Sequence, residues 1–145
     1  MPMNNNYKLL WGAILLAPLL AFIFWLAKGF PTTFAYTPGT RTLILALLLV
    51  PLCEEIVFRG LLQNELASYG RLRKTIAGLS WDNLISSTLF TLVHALYFEN
   101  ALCLLIEFPA LICGFFYSRH RRLIYPILLH AWYNANGLFT FMLMS

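Results

Sequence analysis

The feature that most restricts this chain is a pair of adjacent carboxylates, Glu54-Glu55, with Arg59 four residues beyond the second, all inside an apolar run. Leu43 to Val50 carries no polar side chain, and Gly60-Leu61-Leu62 follows Arg59 directly. A run this apolar is buried against protein or lipid. Charges buried in that way cost several kcal/mol each unless they are paired. Ionisable groups at membrane depth mark functional sites by default, so partners for these three must be sought elsewhere in the chain.

Composition sets the environment. Of 145 residues, 60% are hydrophobic and 11% charged, whereas a soluble domain is about half apolar and about a quarter charged. The expectation is an all-α, polytopic membrane helix bundle of about five transmembrane helices. It forms a single membrane domain over residues 1–145. The net charge of +4 is no nucleic-acid footprint, because the basic residues fall between apolar runs rather than along one soluble face. The partners implied are the lipid bilayer and a membrane protein or peptide substrate, with no nucleic acid. Cys53, Cys103 and Cys113 sit in apolar runs without C-x-x-C or zinc-ligand spacing and read as small buried hydrophobes.

In chain order, residues 9–27 are long enough to span a bilayer and are read as a retained helix, with Pro18 a point of kinking. The stretch from Lys28 to Thr40 holds Gly29, Pro31, Pro38 and Gly39 and is a loop. A four-helix core then covers residues 41–144. Its first helix runs from Arg41 to about Ser68, bent at Pro51, which frees a carbonyl one turn earlier. The second starts at a cap formed by Asp82 or Asn83 and ends near Phe98. The third covers Ala101 to Tyr117, interrupted at Glu107 and Pro109. The fourth runs from Leu123 to Met144. No strand signal is visible. The basic stretches Tyr69–Ser80 and Ser118–Arg122 lie an even number of crossings apart and so share a side. The positive-inside rule places them and Lys8 in the cytoplasm and Lys28 and Arg41 outside. A multi-pass protein of the bacterial inner membrane, N-terminus inside, is expected.

Helical spacing sorts the intramembrane polar groups. Glu55 and Arg59 are four apart and can pair within one helix. Glu54 is rotated about 100° from Glu55 and is free to face another helix. His94 follows Phe90 by four on the next helix, and His130 and Asn134 share a face of the last. Helical rise puts Glu54 about 20 Å from the outer end of its helix and His130 about 10 Å from the inner end of its own, so the two can meet in the inner half. His94 falls nearer mid-depth, and helix tilt must bring it in. A carboxylate, two imidazoles and a carboxamide from three helices suit a hydrolase. The Glu takes a proton from water and returns it to a leaving amine. One His orients the water, and the other His with the Asn amide stabilises an oxyanion. Glu, His and His also form a zinc ligand set, although no H-E-x-x-H is present. Glu107 either lines the same cavity or caps a helix broken at Pro109.

Glu54-Glu55-x-x-x-Arg59, Phe90-x-x-x-His94 and His130-x-x-x-Asn134, in that order on successive apolar helices, resemble the CPBP family. These are the CAAX-processing and bacteriocin-processing intramembrane proteases, also called Abi proteins. The resemblance covers about residues 41–140 and leaves the first helix outside. It implies a metal-free, glutamate-dependent intramembrane endopeptidase acting without a cofactor. In it Glu54 is the base, His94 assists, His130 and Asn134 form the oxyanion site, and Glu55 and Arg59 support them. The short chain looks more like bacterial members that process C-terminal sorting signals or peptide precursors than like eukaryotic prenyl-CAAX processors. The alternatives are a zinc-dependent version of the protease and a non-catalytic membrane immunity or scaffold protein.

Overall fold

The computed structural model describes residues 4–28 and 37–142. Among these the chain is helical almost throughout. Helix α1 is Asn4–Lys28. Helical segments then follow without a break over residues 40–68, here α2. Helix α3 is Trp81–Tyr97. A 3₁₀ segment, Ala101–Ile106, leads into α4, Glu107–His120. Helix α5 is Ile124–Met142. The all-α reading holds at this level. No helix of the described residues is long and apolar enough to cross a membrane. The expected loop over Lys28–Thr40 and the expected end of the last helix at Met144 fall largely or wholly outside the described residues.

The chain divides into two compact units, Met1–Leu49 with Ala131–Ser145, and Val50–His130. In the first unit, prolines decide where side chains dock. Pro18 has no N–H for the Ile14 carbonyl one turn before it. The Trp132 indole N–H donates to that carbonyl at 2.8 Å, and Tyr133 Oη donates to Ala13 O at 3.0 Å. Leu45–Leu49 is π-helical. In that register the N–H that would reach Ala46 belongs to residue 51, a proline. Asn134 Nδ2 donates to Ala46 O instead, at 2.9 Å. A carbonyl left orphaned at each proline is thus satisfied by a side chain of α5.

The second unit buries charged and polar side chains beside apolar ones and turns many large apolar side chains outward. Its α2 portion buries Pro51, Glu55, Arg59, Gln63 and Ala67, a strict four-residue repeat. A plain α-helix of about 3.6 residues per turn lets such a repeat drift by about 40° per step. The wider π turns of Ile56–Gln63 keep it on one face. On α3 the buried side chains form two rows, Asp82-Ser86-Phe90 and Asn83-Ser87-Thr91, again at four-residue spacing. Leu52, Ile56, Val57, Leu92, Val93 and Phe108 face outward. Gly114 lets α4 pack closely, because a Cβ there would overlap the Asn83 carboxamide. Asn83 Nδ2 donates to Leu111 O at 3.0 Å and tethers the two helices.

Three local expectations are corrected. A two-residue antiparallel pair, Thr75–Ile76 with Leu79–Ser80, lies in the first basic stretch. Its turn is made by Ala77 and Gly78, both at positive φ, as a type I′ hairpin turn requires. Alanine there masked the signal that Asn-Gly would have shown. Asp82 and Asn83 do not cap α3. Ser80 holds the cap position, without a side-chain cap bond, and both residues lie buried in the first turn. Helix α4 starts as a regular helix at Glu107 and continues to His120, with Arg121 at φ 53° as the left-handed residue that ends it. Arg119 and His120 are therefore helical rather than loop.

Candidate active site

The site lies in the second unit and has a sealed part and an open part. Arg59 is the hub of the sealed part and is wholly buried. Its Nε lies 3.2 Å from Glu55 Oε2, the pairing that the four-residue spacing implies. Its Nη2 donates to Ala110 O at 2.8 Å, and its Nη1 to Ser86 Oγ at 3.3 Å. Ser86 Oγ donates in turn to Phe58 O at 2.7 Å. One guanidinium thus ties α2 to both α3 and α4. One turn further along, Gln63 Nε2 donates to Ser118 Oγ at 2.8 Å and Gly114 O at 3.1 Å, with Asp82 Oδ2 at 3.3 Å. Buried polar groups in such numbers are tolerated because most of them are hydrogen-bonded.

The open part is built around Glu54. Its side chain is 25% exposed, against 1% for that of Glu55. Its carboxylate oxygens lie 3.6 Å from His94 Nε2 and 3.5 Å from His130 Nε2. These separations exceed a direct hydrogen bond and suit groups that share a water. The other nitrogen of each ring is committed. His94 Nδ1 lies 2.9 Å from the Phe90 carbonyl, and His130 Nδ1 lies 2.9 Å from Glu55 Oε1. A carbonyl and an ion-paired carboxylate accept, so both Nδ1 atoms carry hydrogen and both Nε2 atoms face Glu54. Phe90, 3% exposed, packs between them. Its ring centroid is 4.2 Å from that of His94 and 5.7 Å from that of His130, and the Arg59 guanidinium lies 5.6 Å from it.

Five of the residues singled out in the sequence therefore converge: Glu54, Glu55, Arg59, His94 and His130. The depth gap foreseen for His94 closes. Asn134 belongs to the first unit, where one amide hydrogen goes to Ala46 O. Glu107 lies in the first turn of α4 and accepts from Thr88 Oγ1 at 3.2 Å. Among the described residues no three His, Cys, Asp or Glu side chains are grouped so as to hold a metal ion.

Sequence reasoning missed three things. It paired Glu55 with Arg59 but not with His130, a contact 75 positions away in the chain. It gave Phe90 no role beyond spacing. It passed over Ser86, gave Asp82 and Asn83 only a capping role, and placed Gln63 on a helix end projecting from the membrane, whereas all four are buried; polar side chains in an apolar helix were the available signal.

A family model described as type II CAAX prenyl endopeptidase, Rce1-like, matches residues 36–136. The chain belongs to the Rce1-like family. No curated protein and no solved structure matches it. The Rce1-like span holds every one of the site residues from Glu54 to Asn134 and leaves α1 outside, as the motif resemblance implied. This is a protease family whose members are membrane proteins, so the hydrolase reading of the Glu54 cluster and the family agree.

Proposed function

We propose that this Rce1-like chain is an intramembrane endopeptidase that uses Glu54 to activate water against a peptide bond near the C-terminus of a membrane-anchored, CAAX-type substrate. The convergence of Glu54, His94 Nε2 and His130 Nε2 from three helices carries the reading. The membrane setting is supported by the second unit itself, which buries Glu55, Arg59, Asp82 and Asn83 and turns Leu52, Val57, Leu92 and Val93 outward. A water-soluble domain seldom buries Arg, Glu and Asp so fully while exposing so many large apolar side chains. The basic stretches would face the cytoplasm.

In the proposed reaction a water bridges Glu54 and His94 from the open side of the pair. Glu54 takes one of its protons, and the oxygen attacks the scissile carbonyl carbon. His94 accepts the second O–H hydrogen bond at Nε2, held in that orientation by Nδ1–H to the Phe90 carbonyl. The tetrahedral oxyanion takes a hydrogen bond from His130. Because the Nδ1 hydrogen of His130 is committed to Glu55, the ring donates from Nε2 only when it carries both protons. Glu55 at 2.9 Å is the counter-charge for that form. Collapse of the intermediate breaks the C–N bond, and the proton on Glu54 goes to the departing amine. Glu55 acts through His130 and is a positioning residue, as Arg59 is through Glu55.

The test is cleavage of a prenylated CAAX peptide by the full chain in membranes. Glu54→Gln should abolish cleavage while the protein still accumulates and inserts. Cys53→Ala should cleave normally. Survival of cleavage in Glu54→Gln overturns the mechanism. Zinc held by Glu54, His94 and His130 is the rival, and full activity after exhaustive chelation removes it. A non-catalytic immunity or scaffold protein would keep its cellular effect with Glu54 changed.

A further inference from the structure

We propose that the basic end of the second unit is a binding surface for anionic phospholipid headgroups. Arg71, Arg73 and Lys74 lie between α2 and the hairpin, and Arg119, Arg121 and Arg122 lie at the end of α4 and just beyond it; all six are exposed. The two groups are far apart in sequence, and the fold draws them to one end. Gln63 Nε2 donates to Ser118 Oγ at 2.8 Å, and Ser80 Oγ lies 3.5 Å from the same hydroxyl. Arg121 Nη1 reaches Asn64 Oδ1 at 3.5 Å. The Leu72 and Lys74 carbonyls accept from the Asp82 and Trp81 N–H groups at 3.0 and 3.2 Å, which pins the first group to the start of α3. Glu65 is the exposed carboxylate on the neighbouring turn, while Asp82 is buried.

What surrounds these cations selects the partner. Tyr69, Ile76 and Trp81 are 61%, 60% and 40% exposed at the same end. The helix flanks leading away from it show Leu52, Val57, Leu92 and Val93 to the outside. Cations beyond an aromatic rim, beyond apolar flanks, is the order met on crossing from acyl chains to headgroups. A nucleic-acid surface would not end in apolar flanks. Clusters of Lys and Arg placed beside a membrane segment attract anionic headgroups, and their contributions accumulate per cation. The guanidinium carbons of Arg119 and Arg121 lie 6.0 and 5.8 Å from the ring centroids of Phe115 and Tyr117, which sets these exposed cations beside aromatic rings.

This inference rests on the membrane-embedded reading of the second unit. The full chain, purified in detergent, is titrated with phosphatidylglycerol and separately with phosphatidylcholine of equal acyl length while thermal unfolding is followed. Phosphatidylglycerol should raise Tm and phosphatidylcholine should not. The triple variant R71Q/R73Q/K74Q should lose about tenfold or more in apparent affinity for phosphatidylglycerol, and R121Q/R122Q a comparable factor. Each should retain its Tm in phosphatidylcholine, which guards against misfolding, and its cleavage of the prenylated peptide. Equal response to both lipids, or undiminished preference in both variants, overturns the proposal. So does saturation by glycerol phosphate at the same concentrations, or displacement of the lipid by an oligonucleotide. A chain that needs no detergent and does not pellet with membranes overturns the membrane reading as well, and that result is separable from loss of lipid preference alone.

Discussion

Glu54 and Glu55 are neighbours in sequence and occupy opposite kinds of environment. Glu55 is sealed, 3.2 Å from Arg59 and 2.9 Å from His130 Nδ1. Glu54 is a quarter exposed and stands 3.5–3.6 Å from two imidazole nitrogens. Short bonds among buried groups make a scaffold with one geometry. The exposure of the Glu54 carboxylate leaves it open to water. One helical step of about 100° separates the two roles. The same residue type is thus sealed or accessible according to what its face of the helix meets.

That contrast can be broken by experiment. The largest effect is expected at the open part. Glu54→Gln should lower cleavage by about 10²–10⁴-fold with no change in Tm, measured on prenylated peptide and by thermal unfolding in detergent. If Tm falls with activity, Glu54 belongs to the scaffold and the division is wrong.

The sealed part should respond in the opposite way. Arg59→Met leaves Glu55 buried without its cation and should cost about 3–5 kcal/mol of stability. The double variant Glu55→Leu/Arg59→Met should recover much of that loss, because two apolar groups replace a broken pair, while cleavage stays low since His130 has lost its orienting carboxylate. Recovered cleavage in the double variant would remove Glu55 from its positioning role.

A smaller effect is expected at Gly114. Gly114→Ala forces a Cβ onto the Asn83 carboxamide and should cost about 1–3 kcal/mol. Asn83→Ala in the same chain should restore part of it, and non-additivity in that cycle would confirm the contact. The smallest concerns His120, which stacks 4.3 Å from Tyr125. Partial burial, then Arg119 and Arg122, hold its pKa below the usual 6.5. The unfolded chain therefore binds the proton more readily, and the stability contributed by neutral His120 is complete above pH 6.5 and lost as pH falls through the lower folded value. His120→Phe keeps the stack and should flatten that part of the Tm–pH curve.

Much of the site was legible in the sequence because it is written in helical spacing. The pairing of Glu55 with Arg59 follows from four-residue spacing on one helix, and the different face of Glu54 from the step between adjacent residues. The apolar context of these charges announced that partners existed, and few histidines were available to supply them. The link from Glu55 to His130 was not legible, since it depends on how α2 and α5 pack. The roles of Ser86, Gln63, Asp82 and Asn83 were hidden for the same reason. A Ser or Asn at membrane depth is as consistent with a local bond to its own helix as with a tether to another.

The sequence by itself determined the helical class, the positions of the charges along each helix, and the set of groups able to do hydrolytic chemistry. These depend on local periodicity and on the cost of burying charge, which are properties of the chain. Only the tertiary structure decided which nitrogen of each histidine faces Glu54, that π turns keep a four-residue repeat on one face of α2, and that two distant basic stretches share one end of the second unit. Each of these depends on which atoms other helices bring within hydrogen-bonding distance, and no spacing within a single helix encodes that.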